Sequence, residues 1–323
     1  MNPDISLQVA AAKARIDPYI RTTPLEYTPV LSEITGSNVY LKLENLQITG
    51  SFKARGAVNK VLQQPPSENN IMVTASTGNH AEAVSYALEQ RGFQGVIFLP
   101  ENTSEVKTKK LKYYSNISLQ FYGNDSVETE KKAREWADEK GFSYISPYND
   151  MEIIAGQGTI GLEVMDQADS NVPDAVFVPV GGGGLISGIA GYMKFKQPEI
   201  AVIGCQPENS AVMYASVKAG KILDIPSLPT ISDGTAGGVE KDAITFEFCS
   251  GLVDQWVLVT EDEIKYALKL FIKNHNMIVE GAASLGLAAL LKEKAKYRGK
   301  NVVLIVCGNK LSPDLLKELV CES

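Results

Sequence analysis

Gly181-Gly182-Gly183-Gly184 follows the apolar run Ala175–Val180 and leads into a helical pattern that begins at Leu185. A strand, a glycine loop and a helix N-terminus in that order form an anion cradle. Glycines let the main chain approach closely, the first N–H groups of the helix have no internal partner, and the helix dipole favours negative charge. A tight strand-to-helix turn without a ligand would also use glycine, but four in succession cost more backbone entropy than a turn requires. A dinucleotide does not fit. From Gly182 and Gly184 the next glycine of the G-x-G-x-x-G spacing would be residue 187, which is Ser187, and the run Ala201–Cys205 is followed by Gln206 instead of an acid. No Gly-Lys-Ser/Thr follows either, so the P-loop pattern fails. A single phosphate on a smaller cofactor fits better.

Two further segments carry reactive side chains. Thr49-Gly50-Ser51-Phe52-Lys53-Ala54-Arg55-Gly56-Ala57 places Lys53 after a Gly-Ser turn at a helix start. Such a lysine can form a Schiff base with an aldehyde once its amine loses a proton, which burial and a nearby cation such as Arg55 would favour. Most lysines are solvated surface groups, and this segment alone does not decide between the two. Ser76-Thr77-Gly78-Asn79-His80-Ala81 follows the run Ile71–Ala75. Its hydroxyls and free N–H groups suit a substrate carboxylate, and they suit an ordinary helix N-cap equally well.

The elements that must position these groups are legible as alternating patterns. Apolar, β-branched runs predict strands at Val39–Leu43, Ile71–Ala75, Gly95–Leu99, Ile117–Tyr122, Phe142–Ile145, Ala175–Val180, Ala201–Cys205 and Val302–Val306. Helical periodicity falls between them, at Asn79–Gln90, Ser104–Tyr114, Ser126–Lys140, Ile154–Asp166, Leu185–Phe195, Asp262–His275 and Gly281–Tyr297. The alternation predicts an α/β fold, and 323 residues exceed what one core needs. Two lobes are expected, each a mostly parallel twisted sheet with helices on both faces. Polar stretches at Gln64–Asn70 and Tyr148–Glu152 set the boundaries. Residues 65–151 would form a small mobile domain, and 1–64 with 152–323 a large cofactor-binding domain, with the cofactor in the cleft between them.

The composition narrows the function classes. A net charge of −7 is a poor basis for nucleic-acid binding. The four cysteines, Cys205, Cys249, Cys307 and Cys321, make no CxxC pair, and with only His80 and His275 a histidine-rich metal site is ruled out. The N-terminal stretch holds Asp4, Lys13, Arg15 and Asp17 instead of an apolar signal core, and no apolar run is long enough to span a bilayer. A cytoplasmic enzyme of small molecules, acting on neither nucleic acid nor membrane, is expected.

Taken together, Thr49–Ala57, Ser76–Ala81 and Gly181–Leu185 resemble the lysine, asparagine and phosphate motifs of the fold type II, or β-family, pyridoxal-phosphate enzymes, whose fold is that of the tryptophan synthase β chain. Ala155-Gly156-Gln157-Gly158-Thr159 and Glu280-Gly281-Ala282-Ala283 match in order, so the resemblance covers nearly the whole chain. Lys53-Ala54-Arg55-Gly56 and Gly78-Asn79-His80 are similar to the threonine/serine dehydratases and serine racemases more than to cysteine synthases. Asp233-Gly234-Thr235-Ala236-Gly237-Gly238 resembles the dehydratase branch that includes hydroxyectoine-utilisation enzymes. The resemblance implies pyridoxal 5'-phosphate as cofactor, a small hydroxy amino acid as substrate and a homo-oligomer. It implies that Lys53 holds the cofactor and later takes the Cα proton, that Phe52 packs on the ring and that Asn79 bonds its 3′-oxygen. Gly181, Gly182, Gly183, Gly184 and the Leu185 amide would hold the phosphate. Gly234 and Glu280 would border the ring, and Cys307 would sit beside the pyridine nitrogen. Ser76, Thr77, Asn79 and His80 would surround the substrate carboxylate.

Two departures from that family shape the reading. Racemases place a serine just before Gly-Asn-His to protonate the opposite face of Cα; here it is Thr77, whose added methyl changes its reach. Dehydration is therefore expected over racemisation by Thr77 and Lys53. Metal-binding members place carboxylates after the Ala201–Cys205 strand, where this chain has Gln206 and Val212, so no divalent cation is expected. A cofactor-carrying protein without activity would have lost the lysine or the glycine loop, and a generic nucleotide binder would not need Lys53 and Asn79. Both are the weaker alternatives.

Overall fold

In the computed structural model, residues 4–65, 71–124 and 126–321 are described. Residues 66–70 of the predicted boundary lie outside them. The strands are β1 (Leu25–Tyr27), β2 (Asn38–Lys42), β3 (Ile71–Ala75), β4 (Gln94–Leu99), β5 (Ile117–Phe121), β6 (Ser143–Tyr144), β7 (Ala175–Pro179), β8 (Ala201–Pro207), β9 (Gln255–Val259) and β10 (Asn301–Ile305), and all but β1 and β9 arise from the apolar runs as expected. They form two sheets. The larger has the order β1-β2-β10-β7-β8-β9 and is parallel except at β1–β2; the smaller, β5-β4-β3-β6, is parallel throughout. Continuous burial of β7, with all five residues inside, explains its unbroken apolar run.

The pattern missed β1 and β9. Both are edge strands, half-exposed, and carry Glu26, Gln255 and Trp256 where a central strand would be aliphatic. It also missed the helices Asp4–Ile16, Pro29–Thr35, Val212–Ala219, Thr245–Leu252 and Pro313–Cys321, and ran one helix four residues too far, since Gly281–Glu293 stops short of Tyr297.

The helix Met151–Gln167 is the spar on which the site is assembled. Asp150 caps it, accepting from the Glu152 and Ile153 N–H groups at 2.8 and 3.2 Å. Its small residues let two other helices close on it. A Cβ on Gly156 would stand 2.6 Å from the Gly56 Cα, and one on Gly188 would stand 2.5 Å from the Gly158 nitrogen. The helix Lys53–Leu62, which starts at the candidate lysine, and the helix Gly184–Lys196, which ends the glycine loop, are thereby held at backbone contact distance from one element. This accounts for Gly156-Gln157-Gly158 in the sequence.

A buried ion cluster ties the lysine helix to both strand and spar. Arg55 donates to Glu44 at 2.7 and 2.8 Å and to Glu163 at 2.7 and 2.8 Å, and Lys42 reaches Glu163 at 2.6 Å. This corrects the expectation for Arg55. Its charge is spent on two carboxylates and does not act on Lys53. Among the described residues no helix is long and apolar enough to cross a membrane, and no group of three or more His, Cys, Asp or Glu side chains is placed to hold a metal. Gln206 instead joins two elements, donating to the Val180 carbonyl at 3.1 Å and accepting from the Tyr214 N–H at 2.8 Å.

Candidate active site

Lys53 sits at the first turn of its helix because the preceding loop is stitched to the end of β10. The Phe52 N–H donates to the Cys307 carbonyl at 3.0 Å and the Asn309 N–H to the Gly50 carbonyl at 3.0 Å. Gly50 makes the turn with φ +74°, where any Cβ would also strike the Asn309 side chain. The Lys53 amine donates to the Pro147 carbonyl at 2.7 Å and lies 5.1 Å from the Phe52 ring centroid. Burial pulls its pKa down to about 8, against the opposing pull of the Glu280 carboxylate. An amine so placed is available as nucleophile and base near neutral pH.

Around it the predicted groups converge. The Asn79 amide donates to Glu280 Oε2 at 2.8 Å, and the Cys307 thiol donates to Glu280 Oε1 at 3.4 Å. A Cβ on Gly234 would lie 3.4 Å from that same Oε1. Burial raises the Glu280 carboxyl, with Asn79 and Cys307 drawing it partly back. Burial, and then Glu280, hold the Cys307 thiol well above its ordinary range, so it stays protonated. The Asn79 Oδ1 atom is buried and has no partner, which leaves it open to a donor from a bound group.

The glycine loop has the cradle geometry. Gly183 has φ +89°, and Gly184 opens the helix Gly184–Lys196, whose first N–H groups are free of internal partners. Nothing larger fits. A Cβ on Gly182 would meet the Tyr148 ring at 2.4 Å, one on Gly183 would meet Thr245 at 2.9 Å, and one on Gly181 would stand 3.1 Å from the Thr235 backbone.

The asparagine loop is less uniform. Ser76 is engaged locally, its hydroxyl accepting from the Gly78 N–H at 3.2 Å. Thr77 lines a polar cleft of about 340 Å³ together with Pro100, Asn102, Thr103, Ser104, Lys107 and Asn124. The cleft lies at the C-terminal ends of β3, β4 and β5, where parallel sheets place their ligands. His80 is turned the other way. Its ring is buried and Nε2 meets the Ile145 carbonyl at 3.1 Å. Burial, and then the Lys53 charge, push its pKa down to about 3. It is neutral at working pH, so what it can offer a carboxylate is its main-chain N–H. Sequence reasoning missed Pro147, Tyr148, Thr245 and Lys107. Tyr148 lay in a stretch read only as a domain boundary.

The pattern of the Pyridoxal-phosphate dependent enzyme family matches residues 16–308. The chain belongs to this family. It is 38% identical over 317 residues to the L-threonine ammonia-lyase of Thermotoga maritima, covering 97% of this chain and 77% of that one. It is 41% identical over 309 residues to a catabolic L-threonine dehydratase of Staphylococcus aureus, covering 94% and 88%. Among solved structures, maize serine racemase superposes with a TM-score of 0.90 at 31% identity, covering 98% of this chain and 97% of that one. The pyridoxal-phosphate enzymes are thus matched in both sequence and fold. The site also fits the cofactor on its own terms. It has a lysine amine of lowered pKa, a glycine run at a helix N-terminus in which added Cβ atoms would meet Thr235, Tyr148 and Thr245, and an unpartnered buried amide oxygen.

Proposed function

We propose that the protein is an L-threonine/L-serine dehydratase, a lyase that eliminates water from a small 3-hydroxy amino acid to give an enamine, which takes water back on release and hydrolyses to a 2-oxo acid and ammonia. The observation that carries this is the buried Lys53 amine beside an intact glycine cradle, in a chain that matches two threonine-deaminating relatives over almost its whole length.

The residues divide the work. Gly181–Gly184 and the Leu185 N–H hold the phosphate of pyridoxal phosphate. Phe52, Asn79, Gly234, Glu280 and Cys307 hold its ring. The bound cofactor supplies the electron sink that allows the Cα–H bond to break. Lys53 anchors the cofactor and then, as a neutral amine, takes the proton from Cα. Ser76, Thr77 and the main-chain N–H groups of Asn79 and His80 bind the substrate carboxylate at the start of the helix Asn79–Arg91. The protonated Cys307 thiol contributes no charge to the ring pocket, which suits an elimination, since the departing hydroxyl carries the electrons away.

Purified protein given L-threonine and L-serine should release 2-oxo acid and ammonia in equal amounts. Cofactor bound without either product from either amino acid would overturn the reading. A second reading, racemisation by Lys53 and Thr77, is favoured by the place of Thr77, a hydroxyl-bearing residue, on the cleft wall and by the likeness to maize serine racemase. We propose further that the enzyme is a cytoplasmic homo-oligomer, and that residues 65–151 move as a unit over a cofactor-binding body made of 1–64 and 152–323. Equilibrium sedimentation tests the first, and a change in small-angle scattering on adding substrate tests the second.

A further inference from the structure

Ser146-Pro147-Tyr148-Asn149-Asp150 joins β6 to the helix Met151–Gln167, and its residues touch both ends of the site. The Pro147 carbonyl accepts from the Lys53 amine at 2.7 Å. The next residue covers the glycine cradle. A Cβ on Gly182 would stand 2.4 Å from Tyr148 Cδ1, and one on Gly184 would stand 2.9 Å from Tyr148 Cβ. Two of the four glycines are therefore glycines because Tyr148 fills the space in which their side chains would lie.

The tyrosine is itself held. Its hydroxyl accepts from the Glu240 N–H at 2.9 Å. The Glu240 carboxylate accepts from the Asn149 amide at 2.9 Å and pairs with Arg134 at 2.8 Å, on the helix Ser126–Lys140 beside the smaller sheet. Behind the segment, the Ser146 hydroxyl accepts from the Asn149 N–H at 3.0 Å, and Asp150 caps the following helix. Proline at 147 removes one backbone rotation from the link.

A run of four glycines is the most flexible stretch a chain can have, and an anion binds it well only if its N–H groups already converge. We propose that Tyr148 is the positioning residue that pre-forms the phosphate cradle, with Glu240 clamping it and Pro147 setting the cradle at a fixed distance from Lys53. The proposal rests on the cofactor reading of the glycine loop. It adds what gives that loop its shape, and it makes the segment between the sheets part of the cofactor site.

The test compares two probes on protein stripped of cofactor: pyridoxal phosphate, and pyridoxal, which lacks the phosphate and makes no use of the cradle. Affinities follow from the absorbance of the lysine-bound chromophore. Tyr148→Ala should weaken pyridoxal phosphate by at least about tenfold, through lost pre-organisation of the glycines, and leave pyridoxal within about twofold. Tyr148→Phe keeps the ring and loses only the clamp, so the ratio of the two affinities should fall by about threefold. It also serves should the alanine variant fail to fold. Equal weakening of both probes, or an unchanged ratio in Tyr148→Phe, overturns the proposal. Wild-type protein that binds both probes equally would instead defeat the cradle assignment itself, and a silent dehydratase assay would leave these ratios standing.

Discussion

The proposed cofactor end and the proposed substrate end of the site are built on opposite plans. Around Lys53 the polar groups are interlocked. Asn79 and Cys307 share one buried carboxyl, Glu280, and the lysine loop is laced to the end of β10 by backbone hydrogen bonds. Across from it, Thr77, Asn102, Lys107 and Asn124 line an open cleft in which three of the four are exposed. The Lys107 charge also reaches Asp233, whose carboxyl is raised by burial and drawn back by that lysine. Interlocked groups cannot be exchanged singly without orphaning a partner. Exposed ones can, at little cost to the fold. On the proposed function, the chemistry is therefore fixed at one end, and the choice of substrate is open to adjustment at the other.

The largest effect expected is at the fixed end. Lys53→Ala removes both anchor and base, and turnover of L-threonine should fall by at least about 10³-fold, the scale of a positioned acid–base group. Turnover within tenfold of wild type would remove Lys53 from the mechanism. The same amine gives a pH signature. With its pKa near 8, the reactive neutral form rises about tenfold per pH unit below that value and levels off above it. The rate of pyridoxal phosphate uptake by stripped protein, followed from pH 6 to 9, should trace that curve. A rate that still climbs about tenfold per pH unit at pH 9, with no levelling, would mean that desolvation does not tune the lysine.

Next in size is the ion cluster behind the lysine helix. Arg55→Met leaves Glu44 and Glu163 buried without the partner they share, and removing one partner of such a cluster costs about 3–5 kcal/mol. Urea unfolding of the cofactor-loaded protein should show it. A loss below about 1 kcal/mol would mean that water or Lys42 takes over the neutralisation. Lys53 should keep its pKa in this variant, because Arg55 stands outside its electrostatic surroundings.

His80, buried with its ring against the Ile145 carbonyl, should report on stability in acid. Its pKa is about 3 in the folded chain and about 6.5 when exposed, so below pH 6.5 the unfolded chain takes up a proton that the folded one refuses. Stability attached to this group is present above pH 6.5 and is lost as the pH falls toward 3. It amounts to about 2 kcal/mol between pH 7 and pH 5. His80→Gln, which keeps a donor for the Ile145 carbonyl, should flatten that stretch of the unfolding curve. An identical slope in the variant would show that His80 accepts a proton inside the fold.

The contrast between the two ends also explains what could be read from the chain alone. Lys53, Asn79 and Gly181–Gly184 were legible because each belongs to a contiguous strand–loop–helix unit whose backbone does the work. Central strands such as β7 were legible because they are buried on both faces. Edge strands β1 and β9 carry no such run, and Tyr148 and Lys107 act across contacts between elements far apart in sequence. Arg55 shows the opposite failure. Two residues from Lys53 along the helix, it points into a different neighbourhood, because successive helical side chains turn by about 100°.

The smallest effect expected, and the one that bears most on substrate chemistry, lies at Thr77. Racemisation needs a proton donor on the face of Cα opposite Lys53, whereas elimination does not. Threonine offers the hydroxyl, but its β-branching restricts χ1 and brings a methyl into the cleft. In wild-type protein, D-serine formed from L-serine should remain a minor product beside 2-oxo acid. Thr77→Ser frees the rotamer and should raise the ratio of D-serine to oxo acid by about threefold to tenfold, with less change in total turnover. Chiral chromatography of the serine pool, run beside oxo-acid detection, reads both products from one reaction. An unchanged ratio would mean that the hydroxyl does not reach Cα from position 77, and the open end of the site would then owe its specificity to groups deeper in the cleft. A wild-type ratio near one would place this chain with the racemases, and Thr77 would rank with Lys53 as a catalytic residue.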